Sequence, residues 1–293
     1  MVLRTNSDKV IEQAVLGKIS SPQVQKGREW RIGTDGVPHS LPGVGGITYN
    51  LKVGHSALNW AADHVEPGVS LKAEDDDANR ALNMLACVGN MARVVSGAAE
   101  GAMGVVTGKH GGIEHVLLDF ADEILEKLVI GDKIQVRTAG LGLQQMDFKD
   151  IGLMNMSPDL LKKLELEKNG DRLRIPVAHK VPAAFMGSGI GHSHALSGDY
   201  DLQTSDQEAF VEAGLDTLRI GDMVALIDQD HTYGRSFRTG AISVGVVVHS
   251  CCVQAGHGPG ITTLFTSASG AIEPVIDPEA NLAKILGIGT ERS

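Results

Sequence analysis

The phrase Leu-x-Ile-Gly-Asp-x-apolar-x-apolar occurs twice in this chain, as LVIGDKIQV at 128–136 and LRIGDMVAL at 218–226, ninety residues apart. Gly-Asp makes a tight turn, and the alternation behind it makes a half-buried strand. This is a common way into small β-barrels, so the two copies predict either two barrels or two strands of one. Composition points the same way. Glycine is abundant at 36 residues of 293 and aromatics are scarce at 4%, a balance that favours short strands and tight turns over helical bundles.

The length exceeds one ordinary domain. Residues 1–98 read as a loose arm (1–50) followed by a helix-containing part, 99–185 as a β-containing middle, and 186–293 as a C-terminal part expected to hold a β-barrel and the site. Helices are predicted near Ser7–Leu16, over Asp75–Ala98, at 157–170 and at 278–289, the last with a glycine cap. The second has Ala78, Leu82, Leu85, Val88 and Ala92 at three- and four-residue spacing, behind an acidic run suited to a helix N-terminus. GAMGVVTG (101–108) and HVLLDF (115–120) read as strands, and 265–277 as a loop or edge. The fold class is therefore mainly β with some helix, in several small irregular domains.

A net charge of −10 argues against nucleic acid, because phosphate contacts need a basic face. No apolar run reaches membrane-spanning length, and MVLRTNSDKVIEQ lacks the apolar core of a signal peptide. Only three cysteines occur, and Cys251 and Cys252 are adjacent, an arrangement that rarely closes a relaxed disulfide. A soluble cytoplasmic protein is expected, with a small-molecule ligand and self-association into a homo-oligomer.

The phrases GDYDLQT (198–204), GDMVALIDQDHTYGRSFRTGAISVGVVVHS (221–250) and AGHGPGITTLFT (255–266) resemble domain-of-unknown-function family 4438, a family of uncharacterised prokaryotic proteins. The resemblance runs along most of the chain and is sharpest from about 185 to 266. It implies a mainly β structure of about three irregular domains, one a small barrel like those of translation factors. It implies no activity.

The candidate chemistry sits in three glycine-bracketed segments, 187–201, 228–236 and 245–260, which hold five of the eleven histidines. Polar, metal-competent side chains on such loops are the usual material of a site. His192 and His194, and likewise Asp199 and Asp201, have the i, i+2 spacing that puts side chains on one face of a strand. That nitrogen and oxygen set suits Zn²⁺ or Mn²⁺. His249 and His257 are further catalytic candidates, with Cys252 as a ligand or outer partner. His231 and Arg235, with Gly189, Gly256 and Gly258, are candidate ligand contacts. Arginine suits a bidentate grip on carboxylate or phosphate.

A cysteine nucleophile beside His249 is the weaker reading, because VVVHSCC is more simply the end of a buried strand. GVVTGKHGG (104–112) places His110 where a P-loop requires Ser or Thr. His110, His115 and Asp119 form a secondary cluster, ranked lower because fewer candidate ligands surround it. These residues point to an enzyme acting on a small polar molecule, a hydrolase or lyase in which a divalent metal polarises a carbonyl or activates water. The alternatives are a non-catalytic small-molecule binding protein and a structural homo-oligomer.

Overall fold

Alternation decides the first half of the chain. In KIQVRT (133–138), Ile134, Val136 and Thr138 are buried while Lys133, Gln135 and Arg137 are exposed, so one pleated face meets a core and the other meets water. The structure, a computed structural model, describes residues 3–24 and 29–292. Its strands up to residue 138 are β1 (Gln13–Ile19), β2 (Arg31–Ile32), β3 (Pro38–His39), β4 (Ile47–Thr48), β5 (Gly68–Lys72), β6 (Met91–Val94), β7 (Met103–His110), β8 (His115–Asp119) and β9 (Lys133–Thr138). Six of them close an antiparallel barrel in the order β1-β9-β6-β7-β8-β5, with β5 pairing back onto β1 through Lys18 opposite Lys72 and Ile19 opposite Leu71. Val69, Leu71, Val94, Val106, Val116, Leu118, Ile134 and Val136 belong to the core of this part.

The later strands are β10 (Gly152–Leu153), β11 (Glu167–Asn169), β12 (Arg172–Val177), β13 (His179–Val181), β14 (Met223–Asp230), β15 (Ser236–Val247), β16 (Ile261–Ser267) and β17 (Ile272–Ile276). They form a five-stranded sheet, β10-β16-β15-β14-β13, and a three-stranded one, β11-β12-β17. A second hydrophobic core lies here, including Val224, Leu226, Val244, Val246, Leu264 and Phe265. The helices are short: α1 (Asp76–Leu85), α2 (Asp122–Leu125), α3 (Pro158–Lys163), α4 (Gln207–Glu212) and α5 (Leu282–Leu286). Among the described residues, no helix is long and apolar enough to cross a membrane.

The two Gly-Asp phrases build the same turn in two different sheets. Gly131 and Gly221 sit at φ 91° and 89°, a region that glycine reaches without strain. The next residue, Asp132 or Asp222, accepts a hydrogen bond from the backbone N–H three residues earlier, at 3.0 Å from Val129 and 2.7 Å from Arg219. One turn launches β9 into the barrel and the other launches β14 into the five-stranded sheet. The repeat therefore reports a shared local device, serving one barrel and one open sheet.

Several expectations are corrected. The barrel is not C-terminal: its strands come from residues 13–138, on both sides of residue 98, whereas β13–β16 belong to an open sheet. The described part of 1–50 is not a loose arm, because β1 pairs with β9 from Gln13–Thr138 to Lys18–Lys133. The Ser7–Leu16 helix reduces to a 3₁₀ turn at Ser7–Lys9, since the two-residue repeat Val15, Gly17, Ile19 turns inward as a strand. The Asp75–Ala98 helix stops at Leu85. There the Asn90 side chain accepts the Cys87 N–H at 2.8 Å, and Ala92 and Val94 are buried by strand alternation in β6. The 157–170 helix likewise stops at Lys163, and Glu167–Asn169 becomes edge strand β11. The C-terminal helix is present as α5, ended by Gly287 in the left-handed conformation.

Asp222 is fully buried and also accepts from Arg219 Nε at 3.2 Å and Asn281 Nδ2 at 2.8 Å. Removing it leaves the buried Asn281 amide and the turn's own N–H without this acceptor. Asp222→Ala is expected to cost about 2 kcal/mol, as when buried donors lose their acceptor, read as a lower urea midpoint with an unchanged slope. A midpoint within error of the parent would show that the turn does not depend on its aspartate.

Candidate functional site

The site lies where the barrel meets the five-stranded sheet. β7 and β16 are joined there by Thr262, whose hydroxyl accepts from Lys109 N at 3.2 Å and donates to Lys109 O at 3.1 Å. An extended strip at 199–202 runs alongside the start of β16. Tyr200 and Ile261 exchange both backbone hydrogen bonds, and Leu202 N–H donates to Pro259 O at 2.9 Å. Strand alternation then sends Asp199 and Asp201 to the same side. Val248 N–H donates to Gly260 O at 2.9 Å, which lays the following His249 against that strip. Gly260 makes the approach possible: a Cβ there would overlap Asp199 Oδ2 and His249 Nε2.

The barrel contributes the other half. His110 ends β7 opposite His115, the first residue of β8. Between them lies the fully buried Glu66, with its carboxylate 2.6 Å from His110 Nδ1 and 3.0 Å from His115 Nδ1. Glu66 also accepts the Ser70 hydroxyl and the Gly45 N–H. His64 reaches the same space from the segment leading into β5. Its backbone sits at φ 57°, a left-handed conformation uncommon outside glycine and concentrated at functional sites. Hydrogen bonds from His64 N to Cys251 O and from Val65 N to Ser250 Oγ hold it there.

Together these elements surround a cavity of about 430 Å³ whose wall includes His64, His110, Asp199, Asp201, His257 and Arg235. His249 lies fully buried beneath it. His249 Nε2 is 2.6 Å from Asp199 Oδ2 and 3.7 Å from Asp201 Oδ1, and His257 Nδ1 is 2.8 Å from Asp201 Oδ2. His64 Nδ1 is 2.8 Å from Asp63 Oδ1, and its Nε2 is 3.6 Å from Asp201 Oδ2. The rings of His110 and His249 are 4.1 Å apart, and that of His64 lies 5.3 Å from both His249 and His257.

Burial and pairing oppose each other in this cluster, and pairing wins. Burial lowers the proton affinity of His64, but hydrogen bonds with Asp201 and Asp63 outweigh it and push its pKa up to about 12. His249 is raised against the same penalty by the charge of Asp199. Burial would raise the carboxylates, yet Asp199 is lowered by the charges of His249 and His110, and Asp201 by hydrogen bonds with His257 and His64. Glu66 is held well below the usual range by His110 and His115 despite complete burial. His64 and His249 are thus held toward the protonated form, and Asp199, Asp201 and Glu66 toward the carboxylate.

Two trios of side chains have ligand atoms within 4.8 Å of one another here: His110, Asp199 and His249, and beside it His64, Asp201 and His257. The fit to a metal is set by the ring atoms left free. His110 turns Nδ1 to Glu66. His249 Nδ1 lies 2.9 Å from Ser250 O, a carbonyl that only accepts, so Nδ1–H donates there and Nε2 faces Asp199. Fixing one imidazole nitrogen on a carboxylate or carbonyl while the other faces a cation is the usual outer-shell arrangement of metal-ligating histidine. Nitrogen and oxygen donors of this kind suit Zn²⁺ or Mn²⁺. A third trio, Asp63, His64 and Cys252, shares His64. Burial raises the pKa of Cys252, so it stays a thiol, and the same holds for Cys251. All three cysteines are free, with Cys87 and Cys252 buried.

Of the residues singled out in the sequence, Asp199, Asp201, His249 and His257 converge. His192 and His194 do not join them, because 190–198 forms turns and bends instead of a strand. His192 sits exposed at the cavity wall with Nδ1 2.8 Å from His194 O, and the two rings meet edge to face at 4.8 Å. Neither belongs to the ligand trios. His231 is fully buried against Thr263 Oγ1 at 2.7 Å, and burial with the nearby Arg235 charge depresses its pKa to about 3, so it is neutral. Gly189 and Arg235 line the cavity; Gly256 and Gly258 do not. Gly256 O accepts from Ser188 N–H, and Gly258 packs against Leu202 O.

Sequence reasoning missed His64, Asp63, Glu66 and Gly260, and ranked His110 and His115 too low. Asp119, grouped with those two, pairs instead with Arg292. The one local signal is Asp63-His64-Val65-Glu66 before Pro67-Gly68, an acid-flanked histidine next to a turn.

Two family models match consecutive parts of the chain: the N-terminal domain of DUF4438, a domain of unknown function, over residues 30–162, and its C-terminal domain over 163–286. The crystal structure of TM1086 superposes with a TM-score of 0.92 and 44% identity, covering 97% of this chain and 99% of that one. No functionally curated protein matches the chain.

Gly260→Ala is expected to separate Asp199 from His249. Zn²⁺ or Mn²⁺ affinity, measured by calorimetry, should fall at least tenfold, whereas Gly152→Ala in β10, away from the cavity wall and without left-handed strain, should leave it unchanged. Equal affinity in the parent and Gly260→Ala would mean that the Asp199 and His249 pair does not bind metal.

Proposed function

This chain belongs to the DUF4438 family, and we propose that its cavity is the active centre of a metal-assisted hydrolase or lyase acting on a small polar molecule. The observation that carries this reading is the convergence of His64, His110, His249, His257, Asp199 and Asp201, with Glu66, Asp63 and Ser250 O fixing the rings from behind. Structural histidines do not need to gather around carboxylates at a cavity. His110, Asp199 and His249 would hold the cation. When bound, it polarises a carbonyl or activates water. His257 is partly exposed at the cavity wall and hydrogen-bonded to Asp201, and in this reading it would move a proton to or from the bound molecule. The family match and the neighbouring structure support the fold on which this reading rests and carry no chemistry of their own.

Metal uptake gives the direct test. After loading with Zn²⁺ or Mn²⁺ and removal of excess, elemental analysis should find at least one equivalent per chain. His110→Ala and Asp199→Asn should each lower affinity tenfold or more. The pH dependence has a fixed sign. His249, one of the proposed ligands, holds its proton more tightly than free histidine, so protons compete with the cation, and affinity should rise with pH. Binding should release protons, seen as a calorimetric heat that changes with the buffer's ionisation enthalpy. Absence of stoichiometric metal, or uptake with no proton release, would leave the cluster as a buried ion-pair network.

A further inference from the structure

One cation on the cavity wall has no part in the metal cluster. Arg235 lines the cavity yet is only 4% exposed. No carboxylate lies within ion-pair distance of it among the described residues. Its side-chain hydrogen bond is from Nη2 to Ser197 O at 2.9 Å, and its buried Nε has no partner. The Arg235 backbone, from which the side chain extends, is fixed on both sides by the neighbouring loop. Arg235 N–H donates to His192 O at 2.9 Å, and Arg235 O accepts from Gly191 N–H at 2.8 Å. Nη1 sits 3.2 Å from the Cβ position that Gly189 leaves empty, so the cavity wall passes close over the guanidinium without a side chain in between.

A buried guanidinium with one carbonyl acceptor is far from satisfied, because it has five N–H donors in a rigid fork and keeps its charge at any ordinary pH. Burying a charge without a counter-ion is costly. The nearest acids, Asp199 and Asp201, are committed to histidines, and their pull on Arg235 acts through space. A tightly held, preorganised fork facing the same cavity as the histidine and aspartate cluster is a receptor for an oxyanion.

We propose that Arg235 is a substrate-binding residue that grips an oxyanion group, carboxylate or phosphate, of the small molecule acted on in this cavity. The inference rests on reading the cavity as a small-molecule site. It places the substrate's anionic end under the 188–198 loop and its reacting end at His110, Asp199 and His249. Ser188 and Ser197, on the same wall, lie beside the anion's end.

The test uses the whole metal-free chain, with inorganic phosphate and acetate as separate titrants, followed by calorimetry and thermal shift. The parent should bind one of the two with a rise in melting temperature. Preference for phosphate or for acetate identifies the anion. Arg235→Gln should weaken that binding tenfold or more while Zn²⁺ or Mn²⁺ uptake stays at the parent level. Arg235→Lys keeps the charge but loses the fork, so it should fold and bind weakly, which protects the test if the glutamine variant unfolds. Anion binding equal in Arg235→Lys and the parent, or no anion binding by the parent, overturns the proposal. Anion binding that depends on Arg235 in a chain that takes up no metal would support this proposal and reject the metal reading. Metal uptake without anion binding would do the reverse.

Discussion

The carboxylate of Glu66 is the interaction on which the cavity depends. It is fully buried, and that burial is tolerable only because His110, His115, Ser70 and Gly45 all direct donors at it. Those partners come from the β7 and β8 hairpin, from β5 and from the loop before β4, so one side chain ties three parts of the chain to a single point. It also orients the His110 ring, and that ring closes the first ligand trio. The packing of the barrel end and the chemistry of the cavity are therefore set by the same group.

The fold was largely legible because it is written in local signals. The Gly-Asp turns before β9 and β14 were readable from nine residues each, as were the β7 and β8 strands and the glycine-ended α5. Errors arose where two periodicities overlap. Val88 and Ala92 continue the helical spacing of α1, but Asn90 ends the turn and returns Ala92 to a strand. The closure of the barrel was not legible at all. It depends on Lys18 and Ile19 meeting Lys72 and Leu71 more than fifty residues away, and no short-range pattern encodes such a pairing.

The site was half legible for a related reason. Asp199, Asp201, His249 and His257 lie in glycine-rich loops dense in polar residues, so density pointed to them. His110 hides at the end of a strand, and His64 stands alone in a turn. They become recognisable only when the barrel brings them against the 199–201 strip. His192 and His194 show the opposite error. Their spacing is correct for a strand, but the backbone there turns, and spacing has no meaning without the conformation it presumes.

The family divides between residues 162 and 163, and the candidate ligand set divides with it. His64 and His110 come from the N-terminal half; Asp199, Asp201, His249 and His257 come from the C-terminal half. Neither half carries a complete ligand trio from the two that meet at the cavity. The two parts are thus joined as a lock is joined to its key. Either could acquire insertions at its far end, but remodelling one part at this surface alters the surroundings of the side chains that the other contributes.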